Sequence, residues 1–283
     1  MINIQELKST FSIHDSEIIQ RDEHTFIIEK YLWDYERAHQ FQLYCVEKVL
    51  ENPNLIFLIF TSHPLILTMG RGLQKLKNSN IELIEFDPVL KKDLNLEVID
   101  IKRGGGLTFH HPGQFVFYPI LKTTKYDLKV HDLMLDILEM TKVALLKSVQ
   151  LNDLTVNKEL LGLWYKDQMK LASIGLAVNR FVTYHGLALN FFENAEMKRE
   201  ISLLYPCGLP GNIYTSVEAL VFDKLGNKLN AESFKLFKTL FMDSFYEMID
   251  KQRSSSPTLD LISAAVSDEN LSEINLKTDS SLS

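Results

Sequence analysis

Cysteine is scarce in this chain, with only Cys45 and Cys207 among 283 residues. Two thiols do not make a disulfide framework, and a reducing cytoplasm is the expected setting. Long apolar runs are missing too. The longest, LIFLIF at 55–60, is far too short to span a bilayer. There is no basic excess: 30 Lys and Arg stand against 37 Asp and Glu, a formal net charge of −7. That speaks against a general nucleic-acid binder, and an acidic partner needs a local basic patch to overcome the overall field. The opening MINIQELKSTFSIHDSEIIQRDEH lacks a basic start followed by an apolar run, so no secretory signal is expected there. Its acidic residues Glu6, Asp15, Glu17, Asp22 and Glu23 argue against a mitochondrial presequence. No internal repeat is present. With 46% hydrophobic and 24% charged residues, the composition is that of an ordinary globular chain, long enough for one large domain or two small ones.

What is there is a sequence of helix and strand patterns. DYERAHQFQLYCVEKVL (34–50) reads as an amphipathic helix with Leu43, Val46 and Leu50 on one stripe, ended by Asn52-Pro53. LIFLIF (55–60) and LILTMG (65–70) read as buried strands joined by the turn Thr61-Ser62-His63-Pro64. LEVIDI (96–101) and FVFYPIL (115–121) read as strands on either side of a glycine run. Residues 128–149 read as a long helix with apolar positions Val130, Leu133, Met134, Ile137, Leu138, Val143, Leu145 and Leu146. LGLWY (161–165) and KLASIGLAV (170–178) form an expected hairpin around Lys166-Asp167-Gln168, and Asn179-Arg180 turns into FVTYHGLALNF (181–191). Residues 232–249 close the pattern as an amphipathic helix. A mixed sheet flanked by helices, an α+β fold, is the expected architecture. The expected divisions are an N-terminal extension (1–24), a catalytic domain (25–252) and a serine-rich, disordered tail (253–283) with room for a short helix at LISAAV.

Glycine is sparse, yet three stand together in RGGGLTFHHPGQ (103–114). Glycine suits places where the backbone bends sharply or lies against something. Amides unobstructed by side chains can hold an oxyanion, a phosphate or a carbonyl. The run is neither a P-loop nor the start of a dinucleotide-binding helix. Cys207, in LLYPCGLPGN, is placed on a turn by its Pro and Gly neighbours. It can be a buried structural thiol, which Cys45 in its helix suits better, or a nucleophile activated by a nearby cation. Candidate partners are Lys170, His110, His111 and His185. Lys170 is either a solvated strand-end lysine or a partly buried amine able to act as a base. His185 beside Gly186 is either a core histidine or a residue near a ligand. A metal site from His110 or His111 with His185 and Cys207 has no supporting ligand spacing, and none is expected.

RGGGLTFHHPGQFVFYPI resembles the signature of octanoyltransferases, the lipoate–protein ligase B family, which reads roughly Arg-Gly-Gly-x-x-Thr-[Tyr/Phe]-His-Gly-Pro-Gly-Gln. KLASIGLAVNRFVTYHGLALN is similar to that family's lysine segment and following strand, and PCGLPGNIYTSVEAL to its cysteine segment. HPLILTMGRG and DYERAHQFQ resemble its early elements. The likeness spans roughly residues 30–222, in motifs of the right order. One departure stands out: His111 occupies the place of a family glycine, and if that glycine needs a positive φ, histidine is strained there.

The resemblance implies a biotin/lipoate ligase-like catalytic domain and an acyltransferase activity, the first step of lipoate biosynthesis. An octanoyl or lipoyl group would pass from acyl carrier protein to a lysine of the lipoyl domains of 2-oxoacid dehydrogenase complexes or the glycine cleavage H protein. No cofactor, nucleic acid or membrane is implied, and a monomer is the default. Cys207 would be the nucleophile and Lys170 would lower its pKa and accept a proton. The acyl chain would lie against Arg103, Gly104, Gly105, Gly106, Leu107, Thr108, Phe109 and His110, against Ser173, Ile174 and Gly175, and against Gly186, Leu187 and Ala188. His110 and Gln114 would hold the glycine wall, and Arg71, Lys75, Lys77, Arg180, Lys198 and Arg199 are candidate carrier-docking cations. The rivals are an ATP-dependent lipoate or biotin ligase, a transferase between lipoyl domains, and a non-catalytic homologue that binds the acylated carrier.

Overall fold

The computed structural model describes residues 4–70, 96–104, 106–201, 213–225 and 229–255. Helix α1 (Ile4–Phe11) packs Leu7 against the core, and strands β1 (Ile18–Gln20) and β2 (Thr25–Lys30) follow. Helix α2 (Tyr35–Glu51) starts where the Asp34 carboxylate accepts the Arg37 N–H at 2.9 Å, satisfying an amide that the first helical turn leaves open. Next come β3 (Ile56–Thr61), β4 (Ile66–Met69), β5 (Val98–Asp100), β6 (Leu107–His110) and β7 (Gln114–Ile120). Helix α3 (Val130–Val149) leads to β8 (Leu154–Asn157), β9 (Gly162–Tyr165), β10 (Met169–Asn179) and β11 (Val182–Asn190). Helices α4 (Ala195–Ile201), α5 (Val217–Leu225) and α6 (Ala231–Ser255) complete the described chain.

The strands form two sheets. The larger runs β1-β2-β3-β7-β11-β10-β9-β8, with β2 and β3 parallel and the other neighbours antiparallel. The smaller runs β5-β4-β6, parallel then antiparallel. The mixed sheet flanked by helices is as expected from the pattern. One core fills the side of the large sheet covered by α3 and α6, where Phe115 and Phe117 meet Phe237, Phe241 and Phe245 edge to face at 5.0–5.3 Å. The other lies under α1 and α2, around Phe41, Cys45, Val46, Phe57 and Ile59.

Some expectations need correction. Residues 61–64 are not a hairpin turn, because β3 and β4 belong to different sheets. The chain is pegged as it crosses. Ser62 O accepts the Trp33 N–H (2.9 Å), Ser62 Oγ accepts the Leu32 N–H (3.0 Å), and His63 bridges Trp33 O and the Tyr118 hydroxyl. On α2 the buried face runs through Ala38, Phe41, Gln42, Cys45 and Val49, while Leu43 is 40% exposed. On α3, Val143 and Leu146 face solvent and the buried line passes through Thr141 and Ala144. The sheet picks the helix face, and an apolar residue can stand outside it. The last helix continues through Arg253, whose guanidinium pairs with Asp22 at 3.1 Å and so ties it to the chain before β2. The tail from residue 256 lies outside the described residues.

Candidate active site

The site grows from the meeting of β6 and the glycine run with β10 and β11. Gly175 and Gly186 are opposite each other in the β10–β11 ladder. A Cβ on Gly175 would sit 2.8 Å from Gly104 O, and one on Gly186 would sit 2.1 Å from Phe117 O. These glycines therefore allow backbone to lie on backbone, and the first seats the glycine run against β10. Arg103, 8% exposed, holds this wall to the small sheet. Its guanidinium donates to Thr68 O (3.1 Å), Thr68 Oγ1 (3.0 Å), Thr108 Oγ1 (2.6 Å) and Gly104 O (3.0 Å).

Between the sheets lies a cleft of about 490 Å³, its open mouth included. Arg103, Gly106, Leu107, Thr108 and His110 line one side. Ser173, Ile174 and Gly175 of β10 and Gly186, Leu187 and Ala188 of β11 line another, and Lys170 stands among them. Gly104 touches Gly175, whereas Phe109, alternate to Thr108 and His110, packs beneath β6 with Leu67, Met197 and Ile201. Phe109 lines a smaller neighbouring pocket that shares Thr108, Ser173 and Ala188 with the cleft. Gly105, Cys207, Arg71, Lys75 and Lys77 lie outside the described residues.

Lys170 is not the solvated strand-end lysine that its position allows. It is 2% exposed, with Nζ 5.7 Å from the Trp164 ring centroid and 5.9 Å from that of Tyr214. Its Cε passes so close to Gly162 that a Cβ there would lie 2.9 Å from it. Its carbonyl accepts the Thr215 N–H at 3.0 Å, so the chain resuming at residue 213 is fastened to this lysine's strand.

A chain of amides and imidazoles sets the far side. Gln114 Nε2 donates to Phe109 O (2.8 Å) and Asn190 Oδ1 (3.0 Å), which leaves Gln114 Oε1 to accept from His110 Nδ1 at 2.9 Å. That fixes the His110 proton on Nδ1. His111 does not have a left-handed φ, so the strain expected of it does not arise. Its Nδ1 accepts the Gly113 N–H (3.1 Å), and Nε2 donates to Asn190 Oδ1 (3.2 Å). Asn190 Nδ2 in turn donates to Thr215 O at 3.1 Å. Burial pushes the His111 pKa down to about 4 and that of His63 to about 4, and holds His110 well below the ordinary value. These rings are neutral hydrogen-bonding parts at neutral pH. Among the described residues no group of three or more His, Cys, Asp or Glu could hold a metal ion.

A family model described as lipoyl protein ligase A/B catalytic domain matches residues 34–219. The chain belongs to the lipoyl protein ligase A/B catalytic-domain family. Curated relatives of this family include an octanoyltransferase of Nostoc sp., 34% identical over 65% of this chain and 76% of the relative. Another, from Syntrophobacter fumaroxidans, is 31% identical over 69% of this chain and 81% of the relative. A crystal structure of lipoate-protein ligase A bound with ATP superposes with a TM-score of 0.52 at 13% identity, covering 80% of this chain and 85% of that one. That likeness establishes a lipoate-ligase-like fold. Sequence reasoning named most of the cleft wall of this family member. It left out Tyr35, Tyr118, Leu160 and Leu161, which also line the cleft, and did not assign His185 a role there. Tyr35 sits in the DYERAHQFQ segment that already resembled the family, so a signal existed for it. Tyr118 had none, being one apolar-strand residue among many.

Proposed function

We propose that this chain is an octanoyltransferase that carries the acyl group on Cys207. The donor is octanoyl–acyl carrier protein, and lipoyl groups fit the same reading. The acceptor is a specific lysine of a lipoyl domain, as in 2-oxoacid dehydrogenase complexes and the glycine cleavage H protein. The observation that carries the reading is a buried Lys170 at one end of a cleft walled by the glycine run and by β10 and β11. The motif carrying Cys207 precedes the stretch at Tyr214 and Thr215 that is bonded to Lys170's strand.

In the first half-reaction the Cys207 sulfur attacks the donor's thioester carbonyl. The carrier's thiolate leaves and takes up the thiol proton. In the second, the acceptor amine attacks the Cys207 thioester, the C–S bond breaks, and Lys170 relays the amine's proton. A thioester is already activated, so neither ATP nor a cofactor enters. The oxyanion is best served by amides of the glycine run. The Ile174 N–H is donated to Leu161 O (3.4 Å), and the β10–β11 ladder passes through Ser173 and Gly175.

Carrier docking belongs near α4, where Lys198 lines a shallow pocket with His111, Asn190 and Thr215 and pairs with Glu193, while its neighbour Arg199 pairs with Glu196 and Glu200. Arg180 is less suited. It stands in the turn just after β10, ten residues from Lys170, roughly 30 Å at about 3.3 Å per residue. No helix among the described residues is long and apolar enough to cross a membrane.

Intact-protein mass spectrometry after brief mixing with octanoyl–acyl carrier protein, without acceptor, tests the reading. One octanoyl adduct mapped to Cys207 and discharged by an added lipoyl domain is expected. Acceptor modification only with ATP and free octanoate would instead make the chain a ligase. Unchanged donor after long incubation would make it a binding protein.

A further inference from the structure

Buried polar atoms gather at the end of the cleft away from Lys170. His185 is 1% exposed and lines the cleft. Neither of its ring nitrogens has a hydrogen-bond partner among the described residues, and the same holds for Gln42 Nε2 and His39 Nδ1. The three side chains form one cluster. Gln42 Oε1 accepts the His185 backbone N–H at 2.7 Å, and the His185 ring stacks on that of His39 with centroids 5.0 Å apart. His185 also holds a φ of 59° within β11. A left-handed non-glycine residue is strained, and such strain persists where the surroundings over-determine it. Buried polar atoms without partners call for a ligand atom or an ordered water.

The ladder places this cluster relative to Lys170. Ala172 pairs with Leu189 beside the lysine, and Leu176 pairs with His185. Four residue steps at about 3.3 Å put His185 roughly 13 Å beyond Ala172, itself two residues past Lys170, a span long enough to hold an extended medium-length acyl chain. Gly175 and Gly186 lie between, and the places of their missing Cβ atoms are taken by Gly104 O and Phe117 O, so backbone rather than side chain walls the slot there. Burial first, then the charges of His39, Arg103 and His63, hold the His185 pKa well below the ordinary value, and the ring is neutral. A neutral imidazole offers one donor and one acceptor.

We propose that His185 is a specificity residue at the distal end of the acyl slot, where it hydrogen-bonds a heteroatom carried on the terminal carbons of the acyl chain. The substrate class is medium-chain acyl thioesters with a hydrogen-bonding end, taken alongside plain octanoyl, for which an ordered water occupies the same place. This rests on the transferase reading above.

The test is a competition between octanoyl– and 8-hydroxyoctanoyl–acyl carrier protein for one lipoyl-domain acceptor, using the full chain and reading products by mass. An apolar slot discriminates against an added hydroxyl by about a hundredfold. The native chain is expected to keep the two within about fivefold, and His185→Leu to restore roughly hundredfold discrimination. Strong rejection of the hydroxylated donor by the native chain, with octanoyl transferred, overturns this proposal alone. A His185→Leu chain that transfers acyl groups with the native ratio also overturns it. No transfer from either donor overturns the transferase reading and this proposal with it. The native-chain arm needs no variant, so a His185→Leu chain that fails to fold leaves the test decisive.

Discussion

Gly186 shows how one missing methyl group positions the site. A Cβ there would meet Phe117 O at 2.1 Å, deep in a ladder that cannot give way. Gly186→Ala is expected to cost about 3 kcal/mol, read as a lower urea midpoint, and a native midpoint would remove the argument. His111 is the opposite case. As a family departure it suggested strain, yet the structure uses both of its nitrogens. His111→Gly, the residue usual in the family, is expected to destabilise the chain by about 2 kcal/mol, since each lost hydrogen bond is worth about 1 kcal/mol. An unchanged denaturation midpoint would show that neither bond contributes. The His63–Tyr118 and His111–Asn190 contacts were not legible in the sequence. Their partners lie 55 and 79 residues apart and meet only through the sheet.

At the scale of elements, local chemistry read well and facing read poorly. The hairpin of β10 with β11 follows from alternation, whereas Asp34, read as part of its helix, is the residue that caps it. Leu43, Val143 and Leu146 were put on the wrong side because a helix alone does not know which face the sheet will cover. β8 escaped notice as a four-residue strand, too short for its alternation to stand out. The β10–β11 turn holds a further expectation. Arg180 and Phe181 both have positive φ, 46° and 68°, as a type I′ turn requires, although neither side chain favours it. Replacing the pair by Asn-Gly is expected to stabilise the chain by about 1 kcal/mol, seen as a melting temperature higher by about 2–4 °C. A lower melting temperature would mean that the 60%-exposed Phe181 side chain contributes more than its exposure suggests.

Across the whole molecule, buried histidines link stability to acid. His63 and His111 are held at about 4 by burial, against 6.5 for an unburied histidine. The folded chain resists protonating them while the unfolded chain accepts protons. Their contribution is therefore full above about pH 6.5, falls as pH drops toward 4, and levels off below it. The slope is about 1.4 kcal/mol per pH unit for each histidine. Urea midpoints at pH 7.5, 6 and 5 should fall steadily, and a flat profile over that range would refute the linkage.

The three longest helices, the mixed sheet and most of the cleft wall were determined by the sequence alone, while α1, β1, β2, β6, β8, α4 and α5 were not read from it. Periodicity, glycine placement and spaced motifs are local properties that survive without coordinates. The tertiary structure decided what depends on distant partners. It split β3 and β4 between two sheets and buried Lys170 between the rings of Trp164 and Tyr214. It also left the His185 ring without a partner among the described residues at the slot's end. Burial and hydrogen-bond satisfaction belong to the neighbours that folding brings together, and no window of sequence contains those neighbours.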